Sequence, residues 1–270
     1  MKKNPEMGPL GENIYFASDL HLGAPDAEKS LIREKHFVHW LDTIKEDAAE
    51  LYLLGDVFDF WFEYKRAVPR GFTRVLGRLA EMADQGIKIH VFTGNHDLWY
   101  GDYLKEEIGA TIYKHPVERT LFGKRYYFAH GDGLGPGDHG YKFLKKVFTF
   151  PLSEWMFARL HPNFGIGLAR FFSQLSRSHN YADAEAHEST HIGEHDPLYG
   201  HSRALLAEGL EVDFFIYGHR HIAIDEEIVP GTRLIMLGDW IQYFTYLKIS
   251  PEETSLEIFP LGQIEAISVS

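Results

Sequence analysis

Apolar positions fall into short runs separated by longer periodic stretches. Asn13-Ile-Tyr-Phe-Ala-Ser18 is a near-continuous apolar run and reads as a buried strand. From Ala27 to Ala48, Leu31, Phe37, Val38, Leu41 and Ile44 recur at helical spacing, which predicts an amphipathic helix. Leu51-Tyr-Leu-Leu54 follows as a second strand. A second helix is expected from about Gly71 to Gln85, with Gly86 as its stop, and Ile87 to Phe92 is the third strand. Strand–helix alternation of this kind predicts α/β units around a core sheet. Arg125 to Ala129 reads as a further strand.

After Asp213 the pattern changes to strands alone: Phe214–Tyr217, Leu234–Leu237, Phe244–Ile249 and Ser255–Phe259. Two sheets packed face to face with helices outside would house both halves. Between them, about 140–210 is helical in pattern and reads as an insertion over the core. No repeat or linker divides the chain, so residues 1–270 are expected to form a single domain.

Each early strand ends in a group of polar residues. These are Ser18-Asp19-Leu20-His21, Gly55-Asp56-Val57-Phe58-Asp59, Thr93-Gly94-Asn95-His96-Asp97, His130-Gly131-Asp132 and Gly218-His219-Arg220-His221. Any one of them alone marks a turn more often than a ligand. Five in order, each closing a predicted strand, converge on one sheet edge, where open α/β folds bind ligands. Carboxylate and amide oxygens mixed with imidazole nitrogens suit Mn²⁺, Fe²⁺, Co²⁺ or Zn²⁺ rather than an all-oxygen calcium cage. Asp19 with His21, and His219 with His221, alternate along extended segments and can each reach one ion. Two cations about 3.5–4 Å apart need a shared anion, and Asp56 is the natural bridge.

The order Asp-x-His, Gly-Asp, Gly-Asn-His-Asp, His, Gly-His-x-His resembles the calcineurin-like metallophosphoesterase superfamily over residues 14–221. The resemblance implies a four-layer αββα sandwich and two divalent metal ions, with Mn²⁺ the first choice. One would sit on Asp19, His21, Asp56 and His221, the other on Asp56, Asn95, His130 and His219. It also implies that His96 acts on the leaving group and that Asp97 orients its ring.

A narrower match adds Leu22-Gly23, Phe60-Trp61 and the run from Gly131 to Lys146. It is similar to the UDP-2,3-diacylglucosamine diphosphatase family of lipid A biosynthesis, especially its Bacteroidetes form. Many members carry Arg where this chain has His96. This resemblance implies hydrolysis of UDP-2,3-diacylglucosamine to UMP and 2,3-diacylglucosamine 1-phosphate at the cytoplasmic face of the inner membrane. Substrate contacts would fall on Asn95, His96, Asp138, Tyr141, Lys142, Lys145, Ser176, Asn180 and His219. Another metallophosphoesterase substrate, or a metal-binding scaffold without catalysis, stays open as an alternative.

Composition narrows the picture further. The 270 residues carry a net charge of −12, which argues against a general nucleic-acid binder. The absence of cysteine excludes disulfides and thiolate-ligated metals. No apolar run reaches the length of a membrane span, and the first residues lack a signal-peptide core, so a cytoplasmic protein is expected. No obligate protein partner is implied. Against that acidic background, Pro136 to Asn180 holds six basic residues (Lys142, Lys145, Lys146, Arg159, Arg170, Arg177) and two acidic ones (Asp138, Glu154), interleaved with aromatics. Such a surface suits an anionic headgroup, acyl chains and an anionic membrane. The same residues would also serve simply to pack the insertion on the core, and both readings stand. His187-Glu188-Ser189-Thr190-His191, with His195 beyond, spells a zinc-peptidase pattern, but nothing downstream completes it. It reads as a polar stretch of the insertion.

Overall fold

The computed structural model describes residues 11–135, 137, 139–168, 193 and 196–260. Two mixed sheets form its centre. The first has the strand order β11-β10-β1-β2-β3-β4, built from β1 (Asn13–Ala17), β2 (Ala48–Leu53), β3 (Lys88–Phe92), β4 (Thr111–Tyr113), β10 (Thr245–Ile249) and β11 (Thr254–Ile258). The second runs β5-β6-β7-β9-β8, from β5 (Val117–Leu121), β6 (Lys124–Ala129), β7 (Phe214–Tyr217), β8 (Ala223–Val229) and β9 (Thr232–Leu237).

Strand alternation divides the apolar residues into three layers of contact. Ile14, Phe16, Tyr52 and Phe92 of the first sheet meet Tyr126, Phe128, Ile216 and Ile235 of the second. Tyr15, Ala17, Leu51 and Val91 point the other way, onto α1 (Ala27–Ile44), α2 (Thr73–Asp84) and α3 (Tyr103–Ile108) through Phe37, Trp40, Leu79 and Leu104. On the far side, Tyr127, Phe215, Tyr217 and Met236 pack against Leu198, Tyr199, Leu205 and Leu206 of α6 (Pro197–Ala207). The layers are therefore αββα. The sequence reading grouped α6 with the insertion, but its apolar face makes it the outer layer of the second sheet.

Helix α1 begins where the Asp26 carboxylate accepts from Lys29 N at 2.8 Å, an N-cap. It stops at Ile44, four residues short of the predicted end, because Asp47 is claimed by the sheet. Asn13 Nδ2 and the Tyr15 hydroxyl donate to its carboxylate at 2.7 and 2.8 Å, and Ala48 already pairs with Asn13. The insertion proper contributes α4 (His139–Phe148) and α5 (Pro151–Phe157), and the chain is helical again at 162–168. It rests on the core through Phe157, whose ring lies 4.7 Å from Phe62 and 5.0 Å from Trp99.

At the end of the first sheet remote from the motif loops, Glu50 accepts from Lys88 Nζ and pairs with His90 Nε2, both at 2.9 Å, and takes the Tyr52 hydroxyl as well. The His90 contact, ahead of Lys88 and Tyr52 and against partial burial, holds the Glu50 carboxyl at about 2. A depressed carboxylate stabilises the fold above its ordinary pKa and loses that contribution as pH falls. Glu50→Gln is expected to cost about 1–2 kcal/mol at pH 7. In denaturant titrations the gap to wild type should narrow from pH 4.5 towards 2.

Candidate metal centre

All five motif loops project from one end of the two sheets. Seven side chains converge there in two groups. Asp19, His21 and His221 form one, and Asp56, His130 and His219 the other; Asp59 and His96 make a further group with His21 beside the first. Asn95 Oδ1 lies 3.2 Å from His130 Nε2 and joins the second. Asp56 Oδ2 stands between them, 3.6 Å from His21 Nε2 and 3.5 Å from His130 Nε2. Its other oxygen accepts from His96 N at 2.9 Å. The ligand atoms sequence reasoning assigned to two ions thus occupy two adjoining clusters with a carboxylate oxygen at the junction.

The donor set fits divalent cations. His21 Nε2 and His221 Nε2 face each other at 3.2 Å, and buried Asp19 Oδ1 has no hydrogen-bond partner. A bound cation would satisfy all three. Burial opposes ionisation of both carboxylates, yet the imidazoles prevail. His221 and His21 draw Asp19 down to about 2, and Asp56 falls well below the ordinary range beside His130 and His96. Burial lowers His21 and His219 to about 4, leaving each ring neutral with a free lone pair. His130 and His221 are raised against burial, to about 10 and about 9, chiefly by Asp56 and Asp19 respectively. Those rings carry positive charge that bound cations would replace, releasing protons.

Second contacts fix the rings. His130 Nδ1 lies 2.7 Å from the Leu54 carbonyl, and His221 Nδ1 lies 3.0 Å from Asp239 Oδ2. Each orients Nε2 towards the cluster. Asp239 is buried and its Oδ1 accepts from the backbone N–H groups of Ile241, Gln242 and Tyr243. Sequence reasoning missed it, although Gly238-Asp239 ends β9 as Gly55-Asp56 ends β2. It also missed buried Arg33, whose Nη1 donates to the Leu20 and His21 carbonyls at 2.9 Å. An arginine on a helix carries no such signal.

One expected role moves. Asp97 does not serve the His96 ring. Its carboxylate accepts from Gly94 N, Asp56 N, Phe58 N and the Tyr100 hydroxyl, tying the loops after β2 and β3 together. It is Asp59 that lies against His96, with its carbonyl 3.2 Å and its carboxylate 3.6 Å from Nδ1. Tyr141 and Lys145, expected to touch substrate, both bind Asp132, and Lys142 donates to the Gly135 carbonyl. Asp138, Ser176, Asn180, His187, His191 and His195 lie outside the described residues.

The calcineurin-like phosphoesterase family matches residues 12–223, which spans all five motifs. The chain belongs to that family. Its relatives include the UDP-2,3-diacylglucosamine hydrolase of Porphyromonas gingivalis, 39% identical over 246 residues, covering 88% of this chain and 94% of the relative. A Shewanella protein of the same name is 29% identical, covering 92% and 97%. Among solved structures, an archaeal phosphodiesterase aligns at a TM-score of 0.43 with 15% identity, covering 92% of this chain and 99% of its own. As a member of a phosphoesterase family with a relative named as a hydrolase, the phosphoesterase described here is a hydrolase.

Two motif glycines make the approach of its loops possible. A Cβ on Gly94 would stand 2.1 Å from Asp56 Oδ1, and one on Gly55, at φ +90°, would stand 2.7 Å from His130 Nδ1. Gly94→Ala should therefore abolish tight binding of both cations, read by elemental analysis, while far-UV circular dichroism stays native. Gly77→Ala, in mid-α2 with nothing within 4 Å, is the control. It should keep its metals and gain up to about 1 kcal/mol.

Proposed function

We propose that this phosphoesterase hydrolyses UDP-2,3-diacylglucosamine to UMP and 2,3-diacylglucosamine 1-phosphate. The observation that carries the reading is Asp56 Oδ2 at the junction of two His–Asp clusters, in a chain 39% identical to a hydrolase of that name. Asp19, His21, Asp56 and His221 would hold one cation, and Asp56, Asn95, His130 and His219 the other, with Mn²⁺ first and Fe²⁺, Co²⁺ or Zn²⁺ also suited to the donors. When bound, such a pair lowers the pKa of water and offsets charge on the phosphoryl oxygens.

The protein's own groups supply the rest. Water attacks the uridine-side phosphorus, and the bond to the sugar phosphate breaks. His96 is half-buried, with Nδ1 turned to Asp59, and is the side chain we assign to the leaving phosphate. Its ring meets that of His21 edge-on at 4.7 Å, so its position follows the ligand set.

The insertion offers what the core lacks. Phe143, Phe150, Leu152, Trp155, Met156 and Phe164 are 54–69% exposed, unlike side chains packed onto a sandwich. They favour acyl-chain contact over a purely structural insertion. Exposed Lys146, and Arg159 stacked on Trp155, set positive charge beside them. That combination suits peripheral binding to the anionic inner membrane from the cytoplasmic side. Among the described residues, no helix is long and apolar enough to cross a membrane.

Steady-state assays on diacylated and deacylated UDP-glucosamine test the substrate. The diacyl form should have the much higher kcat/KM, and equal values would remove the lipid assignment. His96→Ala should lower kcat by about 10²–10⁴ with metal content intact. Asp59→Asn should lose less, on the order of tenfold, because Asp59 acts through the His96 and His21 rings it faces rather than on the substrate. Loss of metal from His96→Ala would contradict its role.

A further inference from the structure

The insertion leaves the sandwich just after His130 and rejoins it at Asp196. Each root carries a buried carboxylate with a cationic partner across the junction. At the outgoing root, Asp132 accepts from Lys145 Nζ and the Tyr141 hydroxyl, both on α4. At the returning root, Asp196 caps α6 through Leu198 N at 2.8 Å and accepts from Arg220 Nε at 2.9 Å. Arg220 sits in the chain between His219 and His221. The two roots also touch. A Cβ on Gly135 would fall 2.2 Å from the Pro197 carbonyl oxygen, and one on Gly131 would fall 3.2 Å from the Leu198 side chain and 3.4 Å from His219.

Asp132 and Asp196 are 6% and 5% exposed. Carboxylates so buried need their charges met, and losing one partner leaves the other stranded. Lys145 and Arg220 meet them.

We propose that Asp132 and Asp196 are positioning residues that fix the insertion in register with the His130 and His219–His221 loops. A substrate held on the insertion then presents its phosphate to the ligand set in one geometry. The inference rests on the reading that the insertion binds the acyl chains. A displacement near 1 Å from a remote change can cost about a hundredfold in rate, so loosening either root should be visible in turnover.

The test uses full-length, metal-loaded protein. Asp132→Asn keeps an acceptor for Tyr141 and removes the charge facing Lys145. Arg220→Ala removes the other pair, and Arg220→Lys restores its charge. Each is assayed on diacylated UDP-glucosamine and on bis(p-nitrophenyl) phosphate, which has no acyl chains. Asp132→Asn and Arg220→Ala should lower kcat/KM on the lipid substrate by about tenfold or more, and Arg220→Lys should recover most of it. Turnover of the small diester and metal content should stay at wild-type values. Equal losses on both substrates, loss of metal, or no loss on either would each overturn the proposal. Hydrogen exchange in α4 is read on the same variants without substrate. Faster exchange in Asp132→Asn supports the register, and unchanged exchange overturns it. If wild type shows no preference for the acylated substrate, the functional reading fails, while the exchange result still decides the positioning.

Discussion

Two buried carboxylates and four imidazoles must be held within a few ångströms of one another, on backbone that does not take up such positions freely. Asp19, His21, Asp56, His219 and His221 all have positive φ, between 44° and 67°. For residues with a Cβ, that left-handed region costs on the order of 1–3 kcal/mol each. Such strain persists only where the surroundings over-determine it. The sandwich does so by placing the loops at the ends of parallel strands whose registers are locked on both faces by apolar packing.

The supports around the ligands follow from that constraint. Arg33 donates to the Leu20 and His21 carbonyls beside the left-handed turn, the second of which also accepts from Ala24 N. His219 N donates to Asp19 Oδ2 at 2.9 Å, so a loop of the second sheet is tied to a ligand of the first. Asp97 spends its carboxylate on three backbone donors and Tyr100, which is why it is not free to steer His96. An acidic residue beside a proposed catalytic one in sequence need not be its partner in space. The carboxylate that faces the ring comes instead from three residues past the bridge.

Sequence made the candidate ligands legible because each carries its own local signal: an apolar run, then a glycine or serine, then the polar group. The same logic gave both sheets, α2, whose apolar periodicity is strong, and α1, whose face of Phe37, Leu41 and Ile44 is buried although Leu31 is exposed. It failed for β4, β5 and β8. Each is at or next to a sheet edge and half-exposed, and β8 (Ala-Ile-Asp-Glu-Glu-Ile-Val) has its acidic centre turned partly to solvent. Six-residue α3 is too short to show a period. α6 has a clear helical pattern, yet its assignment to a layer depended on Leu198 and Leu205 meeting Phe215 and Met236, contacts between distant parts of the chain. Asp59 was in a quoted motif, but its role needed the fold to bring it to His96.

Chemistry and selectivity occupy different parts of this molecule. The candidate ligand set is largely buried and made by strand ends, and nothing in it depends on what the phosphate is attached to. Nothing in that constellation measures acyl chains. Discrimination between lipid and soluble substrates therefore has to arise outside it, where apolar area is left uncovered. Among the described residues, nine of the fourteen exposed large apolar side chains lie between 143 and 164, within 35 residues of His130. Removing a methylene from water is worth about 0.8 kcal/mol. A few methylenes bound on α4 and α5 would outweigh any preference the small polar rim could express. Such binding energy raises turnover only if it is delivered at the right place, since uniform binding lowers KM without lowering the barrier. On the proposed reading, an acyl surface on the insertion would be useful to catalysis to the extent that the insertion is held in fixed relation to Asp56, His96 and their neighbours.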